Sequence, residues 1–372
     1  MKNKLFIVLL VTLLTIGFTL SAFALDLAPD GFPFPRVVKD RPIQVGVLTQ
    51  NLSGESVIRN YQQAKIEGAH RGWDVVLQPG STDTERRDIM QTFIARNVDA
   101  IIIGCVPMIP LADLILIARE KGIGVYNVDT QIMSGVIANC TQSNAVAASK
   151  LFYKVGEDLL WKGKVAIDTN QVFQVSVERT ETIKGIIRAY PGLELVSEEF
   201  NLIGAQDNRQ QVYDFTQRWI TKYGDDLDVI VCDYDGGALG ATNALMTSGF
   251  DQTQIFVIGI DGGSEAWSYI RERTPFKYSY AQPFELYQHT IWELVDQIQV
   301  KGLKPGDKGC LIGRYGETIY AEGIIVSADN VPASGKSVHA VFDYYGGDPN
   351  DPDAWYNWQE AGGPYKVVTG KD

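Results

Sequence analysis

The sequence predicts an α/β protein built from two doubly wound lobes, each on a parallel sheet. Short apolar runs alternate with segments of helical spacing, and this alternation occurs in two successive series. Strands that are separated by helices form right-handed βαβ units, and such units give parallel sheets. A chain of 372 residues is long enough for about two domains.

The first series begins after a stretch that is rich in proline. Its strands are predicted at 43–49, 73–78, 99–104, 123–128 and 135–140. The helices between them are predicted at 57–71, 84–96 and 111–121. Acidic residues open the second of these helices, where a negative charge suits the helix dipole.

The second series repeats the pattern and forms the second lobe. Its strands are predicted at 164–169, 193–200, 228–233, 255–260 and 277–282. Its helices are predicted at 144–160, 177–190, 208–223, 238–248, 265–273 and 284–300.

Four apolar runs end in a polar side chain at the point where a strand should stop. These side chains are Asp129, Asp235, Asp261 and Gln282. Ligands of open parallel sheets bind outside the carboxyl ends of the strands. The sequence therefore predicts one polar small-molecule cleft, built from distant parts of the chain.

The N-terminus indicates export. Lys2 and Lys4 precede an apolar run, and the small-residue pattern that ends at Ala24 predicts a secretory signal peptide over 1–24. A retained membrane anchor is the alternative, but the run is short for a spanning helix. The expected location is therefore periplasmic or otherwise extracytoplasmic.

Segments without periodicity flank the two series. Residues 25–40 contain three prolines and predict an extended N-terminal arm. Residues 334–372 are rich in Gly, Pro, Asp and aromatic residues and predict a C-terminal extension that packs its rings on a lobe. Disorder of this extension is the alternative.

Charge and motifs exclude several classes of protein. The net charge of −12 argues against a nucleic-acid partner, because phosphate binding needs a basic face. The three histidines form no catalytic constellation, and no nucleophile elbow, zinc or phosphate-loop motif occurs. Asp348 and its acidic neighbours lack the spacing of a calcium loop. We expect no enzyme activity, no cofactor and no metal.

The four cysteines leave two alternatives open. Export permits oxidation, and Cys105–Cys140 is then the favoured bridge because both follow strands of the same lobe. Buried free thiols are the other interpretation, since three of the four lie in or just after apolar runs.

Four strings carry a resemblance to a known family: IGVYNVDT, DYDGGALGATNAL, VIGIDG and YAQP, in this order. Over residues 41–330 the chain resembles the type I periplasmic solute-binding proteins of ABC importers, which are ribose-binding-like and related to LacI-type ligand domains. The resemblance implies a three-segment hinge, with crossings near 141–146, 280–284 and 305–311. The implied N-lobe is 41–142 plus 283–307, and the implied C-lobe is 143–282 plus 308–333.

The resemblance also implies a set of ligand-binding residues. They are Asn51, Glu55, Asp129, Thr130, Asn144, Arg179, Tyr234, Asp235, Asp261 and Gln282. Thr130 and Thr182 stand where the family places arginines, and Arg179, one turn earlier, either replaces one of these or lies on a helix surface. The loop of Glu55 holds no aromatic ring, where sugar binders usually have one.

Each of these residues also has a purely structural interpretation. An aspartate after a strand can cap the following helix, which applies to Asp129, Asp235 and Asp261. Gln282 can satisfy the hinge backbone, and Glu55 can be a solvated loop carboxylate.

The resemblance implies a receptor that captures a small neutral polyhydroxylated ligand, a sugar or polyol, for an ABC permease. Anionic ligands are disfavoured, because only Arg179 could balance them. A periplasmic co-receptor of a sensor kinase is the alternative. A LacI-type repressor is excluded, because the signal peptide occupies the place of its DNA-binding headpiece.

Overall fold

The structure is a computed structural model that describes residues 27–202 and 208–334. The predicted signal peptide and residues 335–372 of the predicted C-terminal extension lie outside the described residues. None of the described helices has the length and apolar character that a membrane crossing requires.

The first sheet forms the N-lobe and has six parallel strands. Its order is β11-β5-β4-β3-β1-β2. The strands are β1 (Gln44–Gln50), β2 (Asp74–Gly80), β3 (Ala100–Gly104), β4 (Gly124–Val128), β5 (Ala138–Thr141) and β11 (Glu317–Tyr320).

The second sheet forms the C-lobe and also has six strands. Its order is β12-β10-β9-β8-β6-β7, and only β12 runs antiparallel to its neighbour. The strands are β6 (Gly163–Thr169), β7 (Leu193–Phe200), β8 (Val229–Cys232), β9 (Phe256–Asp261), β10 (Phe276–Ala281) and β12 (Ile324–Val326).

Helices cover both faces of each sheet. They are α1 (Glu55–Arg71), α2 (Asp83–Ala95), α3 (Ala112–Glu120), α4 (Asn144–Asp158), α5 (Gln174–Ala189), α6 (Asn208–Tyr223), α7 (Asp235–Thr247), α8 (Ser264–Arg271) and α9 (Phe284–Val295), which ends in a π-helical turn (Asp296–Val300). The predicted fold of two doubly wound lobes is confirmed.

Both faces of the strands are buried, which explains the continuous apolar runs. In β3, Ile102 packs into one core of the N-lobe, whereas Ile101 and Ile103 pack into the core on the opposite face. Ile230 and Val231 of β8 divide in the same way between the two cores of the C-lobe. Side chains of a strand alternate between faces, so a strand covered on both sides needs apolar residues at every position.

The chain crosses between the lobes three times. It crosses after β5 at residues 142–143, after β10 at 282–283, and between β11 and β12 at 321–323. The family resemblance implies a third crossing near 305–311, and this expectation is wrong. Residues up to 320 stay in the N-lobe because β11 pairs with β5 and Ile312 lies in the N-lobe core.

An extended arm precedes β1 and packs on the N-lobe. The backbone N–H of Arg36 donates to the carbonyl of Gly122, and that of Val38 donates to the carbonyl of Gln299. The four cysteines are free thiols, so the Cys105–Cys140 bridge is absent.

Candidate functional site

The carboxyl ends of β4 and β9 face each other across the lobes. Asp129 follows β4 in the N-lobe, and Asp261 is the last residue of β9 in the C-lobe. Both side chains are mostly buried, and both line one small cavity of about 70 Å³. Parallel strands bring these two distant residues to a common edge, as the strand-end pattern predicts.

Strained backbone marks the border of this cavity. Cys105, Asp129 and Asp261 all have positive φ angles, of 54°, 49° and 147°. All three line the cavity. Such conformations cost free energy in residues other than glycine and cluster at ligand sites, so their placement indicates a functional site.

Arg179 of α5 supplies the positive charge of the cavity. It lies 3.9 Å from Asp261 (Nη1 to Oδ1), and its side chain is only 3% exposed. Its Nε donates to Asn144 Oδ1 at 2.8 Å, and its Nη1 donates to the carbonyl of Asp233 at 2.8 Å. The surface interpretation of Arg179 is therefore wrong, and Asn144 acts by holding the guanidinium.

Burial dominates the electrostatics of the two aspartates. It raises the pKa of Asp129 above its ordinary value, and the Arg179 guanidinium opposes this shift. Burial raises the pKa of Asp261 well above its usual range, and repulsion from Asp235 and Asp129 acts in the same direction. One cation thus serves several carboxyl groups, and the cavity keeps an excess of hydrogen-bond acceptors.

Hydrogen bonds orient both aspartates, and on Asp129 they reach both oxygens, because Cys105 Sγ donates weakly to Oδ2 at 3.8 Å. Thr141 Oγ1 donates to Asp129 Oδ1 at 3.0 Å, and Gln282 Nε2 donates to Asp261 Oδ1 at 2.8 Å. The other amide atom, Gln282 Oε1, is buried and has no hydrogen-bond partner within the described chain. An acceptor that is buried in this way needs a donor, which a ligand hydroxyl can supply.

Larger spaces adjoin the small cavity. A space of about 570 Å³ shares five of its lining residues, Gln50, Ser56, Val57, Tyr234 and Asp261. A polar space of about 360 Å³ lies on the hinge side, and Val175 borders both it and the small cavity. The cleft between the lobes therefore has ample volume for a monosaccharide-sized ligand.

Two of the predicted residues serve the structure around the cleft. Asp235 Oδ2 accepts from the backbone N–H groups of Gly262 and Gly263, at 2.8 and 2.9 Å, so it anchors the turn after β9. Thr130 Oγ1 donates to the carbonyl of Val106 at 2.9 Å. The oxygens of both side chains are thus engaged within their own lobe.

The other two predicted residues of the N-lobe follow β1: Asn51 lies in the loop, and Glu55 is the first residue of α1. Asn51 accepts a hydrogen bond from Ser53 within this loop. Glu55 reaches across to Ser264 of the C-lobe. Neither residue lines the small cavity, but Glu55 lines the adjoining space of about 570 Å³.

Sequence reasoning missed Cys105 and Phe173, which line the small cavity, and Arg59, which lies beside it. Cys105 follows β3 directly, so the strand-end pattern that found the aspartates could also have found it. Phe173 lies in the loop after β6, four residues beyond the end of the strand, so a search for residues directly after strands does not find it. Arg59 carries no local signal, because its partner Glu285 is 226 residues away.

The fold and the cleft define a two-lobed α/β protein with a polar cavity between the lobes. Residues 46–302, more than two thirds of the chain, match the model of the periplasmic binding protein domain. The chain belongs to this family, and the predicted resemblance is confirmed.

Individual relatives are more distant. The chain is 26% identical over 226 residues to a xylitol-binding protein of Mycolicibacterium smegmatis; the match covers 59% of this chain and 62% of the relative, less than two thirds of its length.

Solved structures agree with this fold. An ABC transporter solute-binding protein from Agrobacterium vitis with bound allitol has a TM-score of 0.70 at 20% identity, with 78% and 97% of the two chains covered. A Caulobacter myo-inositol-binding protein has a TM-score of 0.69 at 22% identity, with 79% and 96% covered.

Proposed function

We propose that the protein is an exported receptor that captures a small neutral polyol or sugar between its lobes and delivers it to an ABC permease. The observation that supports this most is the pair Asp129 and Asp261, which end strands of opposite lobes and line one cavity. Asp261 Oδ2 accepts no hydrogen bond from the described residues, and Asp129 Oδ2 accepts only the weak one from Cys105 Sγ at 3.8 Å, so both carboxylates can accept from one ligand.

The chemistry of the cavity favours a ligand that donates hydrogen bonds. Asp129 and Asp261, which line it, are acceptors, and beside Asp261 lies Gln282 Oε1, a further acceptor without a partner among the described residues. Charge-assisted hydrogen bonds to carboxylates are about twice as strong as neutral ones. Adjacent hydroxyl groups of a polyol match such a set. An anionic ligand does not, because Arg179 is already shared among the carboxyl groups.

The distribution of aromatic side chains favours a polyol over a sugar ring that stacks between aromatic rings on both of its faces. Phe173 and Tyr234, the aromatic residues of the small cavity, both come from the C-lobe. The loop after β1, on the N-lobe side, presents small and polar residues between Ser53 and Ser56. Three of the relatives are named for polyols, xylitol, allitol and myo-inositol, whereas another similar structure holds the sugar D-allose.

Titration calorimetry with xylitol, allitol and myo-inositol tests the proposal. At least one polyol should bind, and Asp129→Ala and Asp261→Ala should each weaken binding by about 2–4 kcal/mol, roughly 30-fold to 1000-fold. Each change removes charge-assisted hydrogen bonds to a buried ligand. Asp113→Ala is the matched control, because Asp113 pairs with Arg87 on the exposed surface of the N-lobe and should leave affinity unchanged.

Two outcomes would contradict the proposal. If neither aspartate variant loses affinity while both remain folded, the carboxylates serve the structure and the site lies elsewhere. If a broad thermal-shift screen of polyols and sugars gives no stabilisation, the ligand class is wrong, because a ligand at a hundredfold excess over its dissociation constant stabilises by about 2.7 kcal/mol.

A further inference from the structure

Glu55 joins the two lobes directly. It is the first residue of α1 in the N-lobe, and its carboxylate meets Ser264, the first residue of α8 in the C-lobe. The backbone N–H of Ser264 donates to Glu55 Oε1 at 2.7 Å, and Ser264 Oγ donates to Oε2 at 3.1 Å. Both oxygens of Glu55 thus bind the opposite lobe.

The helix that Glu55 meets lacks a cap of its own. The residue before α8 is Gly263, which has no side chain to accept from the first N–H groups of the helix. These groups need an acceptor, and the helix dipole favours a negative charge at this end. Glu55, from the other lobe, supplies both the acceptor and the negative charge. A Cβ on Gly263 would lie 3.0 Å from Glu55 Oε2, so the glycine also leaves room for this approach.

A second contact lies one turn further along α1. Glu285 holds Arg59 by two hydrogen bonds of 2.7 Å within the N-lobe. The guanidinium then reaches the backbone carbonyls of the C-lobe, with Nη1 3.4 Å from the oxygens of both Asp261 and Gly262. Because Glu285 orients Arg59 in advance, the arginine loses little conformational freedom when it meets the second lobe.

These contacts oppose forces that separate the lobes. Asp129 and Asp261 are buried carboxyl groups on opposite sides of the cleft, and their mutual repulsion contributes to the raised pKa of Asp261. Gln282 Oε1 is also buried without a partner in the described part of the chain, which costs free energy. Protein contacts outside the small cavity can offset these costs.

We propose that Glu55, supported by Arg59, is an inter-lobe latch rather than a ligand contact. The latch closes a fraction of the ligand-free protein and prolongs the closed state after capture. It acts through the two-lobe fold and does not depend on which ligand the cleft takes.

The decisive experiment uses ligand-free protein. Small-angle scattering measures the radius of gyration, and hydrogen exchange followed by mass spectrometry measures protection of the first turn of α8. Glu55→Ala should increase the radius, and the amides at the start of α8 should exchange about tenfold faster, as the loss of one charge-assisted hydrogen bond implies. An unchanged radius would overturn the proposal.

Two matched variants separate the latch from local effects. Ser264→Pro removes the donor N–H at the first position of a helix, where proline is well tolerated, so α8 should persist. It should increase the radius as Glu55→Ala does, and the double variant should add nothing further. Glu265→Gln is the control, because Glu265 pairs with Arg209 inside the C-lobe and should leave the radius unchanged. Additive effects of the two single variants would contradict a shared contact.

A binding measurement distinguishes the latch from a direct ligand contact. With xylitol as the probe, the latch predicts that Glu55→Ala raises the dissociation rate and enlarges the ligand-free protein. A direct contact predicts weaker xylitol binding with no change in the ligand-free radius, and this result would overturn the latch. The first measurement needs no ligand, so failure of xylitol to bind would count only against xylitol as the ligand and would leave the test of the latch intact.

Discussion

Asp235 holds a buried negative charge within a single lobe. Its Oδ2 accepts from Gly262 and Gly263, and the Ser279 hydroxyl lies 2.8 and 2.9 Å from its two oxygens. Burial is the largest effect and raises the pKa of Asp235 to about 6. These donors therefore only partly compensate for the loss of hydration.

This raised pKa predicts a specific dependence of stability on pH. The pKa of Asp235 is ordinarily 3.8 and is about 6 in the folded protein, so between these pH values the folded protein binds the proton more tightly than the unfolded chain. The contribution of Asp235 to stability therefore falls as the pH rises through this window. Asp235→Asn keeps an oxygen for the two glycine N–H groups and removes the charge. Relative to the wild type, the variant should gain about 2–3 kcal/mol of unfolding free energy between pH 4 and 6.5.

Urea unfolding at several pH values measures this difference. Asp235→Ala serves as the comparison, since it removes the charge and also leaves the donors unpaired, and it should be destabilising at every pH. Parallel stability curves for Asp235→Asn and the wild type would show that the pKa of Asp235 is not raised.

The sequence could show that polar residues end the strands but not where each side chain is directed. Asp129 and Asp261 line one cavity, as the positions of their strands require, and Gln282 hydrogen-bonds to Asp261. The direction of Asp235 depends on Ser279, which lies 44 residues away, and that of Glu55 depends on Ser264, which lies 209 residues away. Such long-range partners leave no trace in local spacing.

At the scale of elements, Arg119 ties three segments of the N-lobe together. It is a fully buried residue of α3, and its Nη2 pairs with Asp30 of the N-terminal arm at 2.9 Å. Its guanidinium also lies 5.4 Å from the ring of Phe32 and 5.8 Å from that of Tyr315, which precedes β11. The arm therefore compensates a buried charge beside the segment that leads to the third crossing.

Removal of the arm's carboxylate should destabilise the N-lobe. Asp30→Asn leaves the Arg119 charge without its anion, and we expect a loss of about 2 kcal/mol, below the range for fully buried pairs because Asp30 is partly exposed. Asp113→Asn is the matched control: it breaks the solvent-exposed pair with Arg87, which should cost at most about 1 kcal/mol. Thermal unfolding of both variants decides this, and equal small losses would show that the arm contributes little.

The elements that the sequence missed are short and lie at sheet edges. β11 has four residues and β12 has three, too few to show a period. Their partners β5 and β10 occur much earlier in the chain. The position of the third crossing could not be predicted for this reason. The longer buried strands, such as β3 and β9, could be predicted from their uninterrupted apolar runs.

At the scale of the whole molecule, the three crossings at 142–143, 282–283 and 321–323 allow the lobes to move as units. Each lobe has its own sheet and its own cores, so separation of the lobes breaks few apolar contacts within either of them. Small hinge segments can absorb such a movement. The equilibrium between open and closed lobes then depends on what joins them across the cleft.

Ligand and latch should therefore act on the same equilibrium, and this predicts how much the molecule contracts on binding. A ligand that binds the closed state shifts the population towards it. In the wild type, where Glu55 and Arg59 already close a fraction of the molecules, saturating polyol should reduce the radius of gyration only modestly. In Glu55→Ala the ligand-free protein starts from a more open population, so the same polyol should cause a larger contraction to a similar final radius, at the cost of weaker apparent affinity.

Scattering profiles of both proteins with and without ligand measure the two contractions. Contractions of equal size would show that Glu55 does not influence closure, and the absence of any contraction under saturation would contradict hinge closure itself.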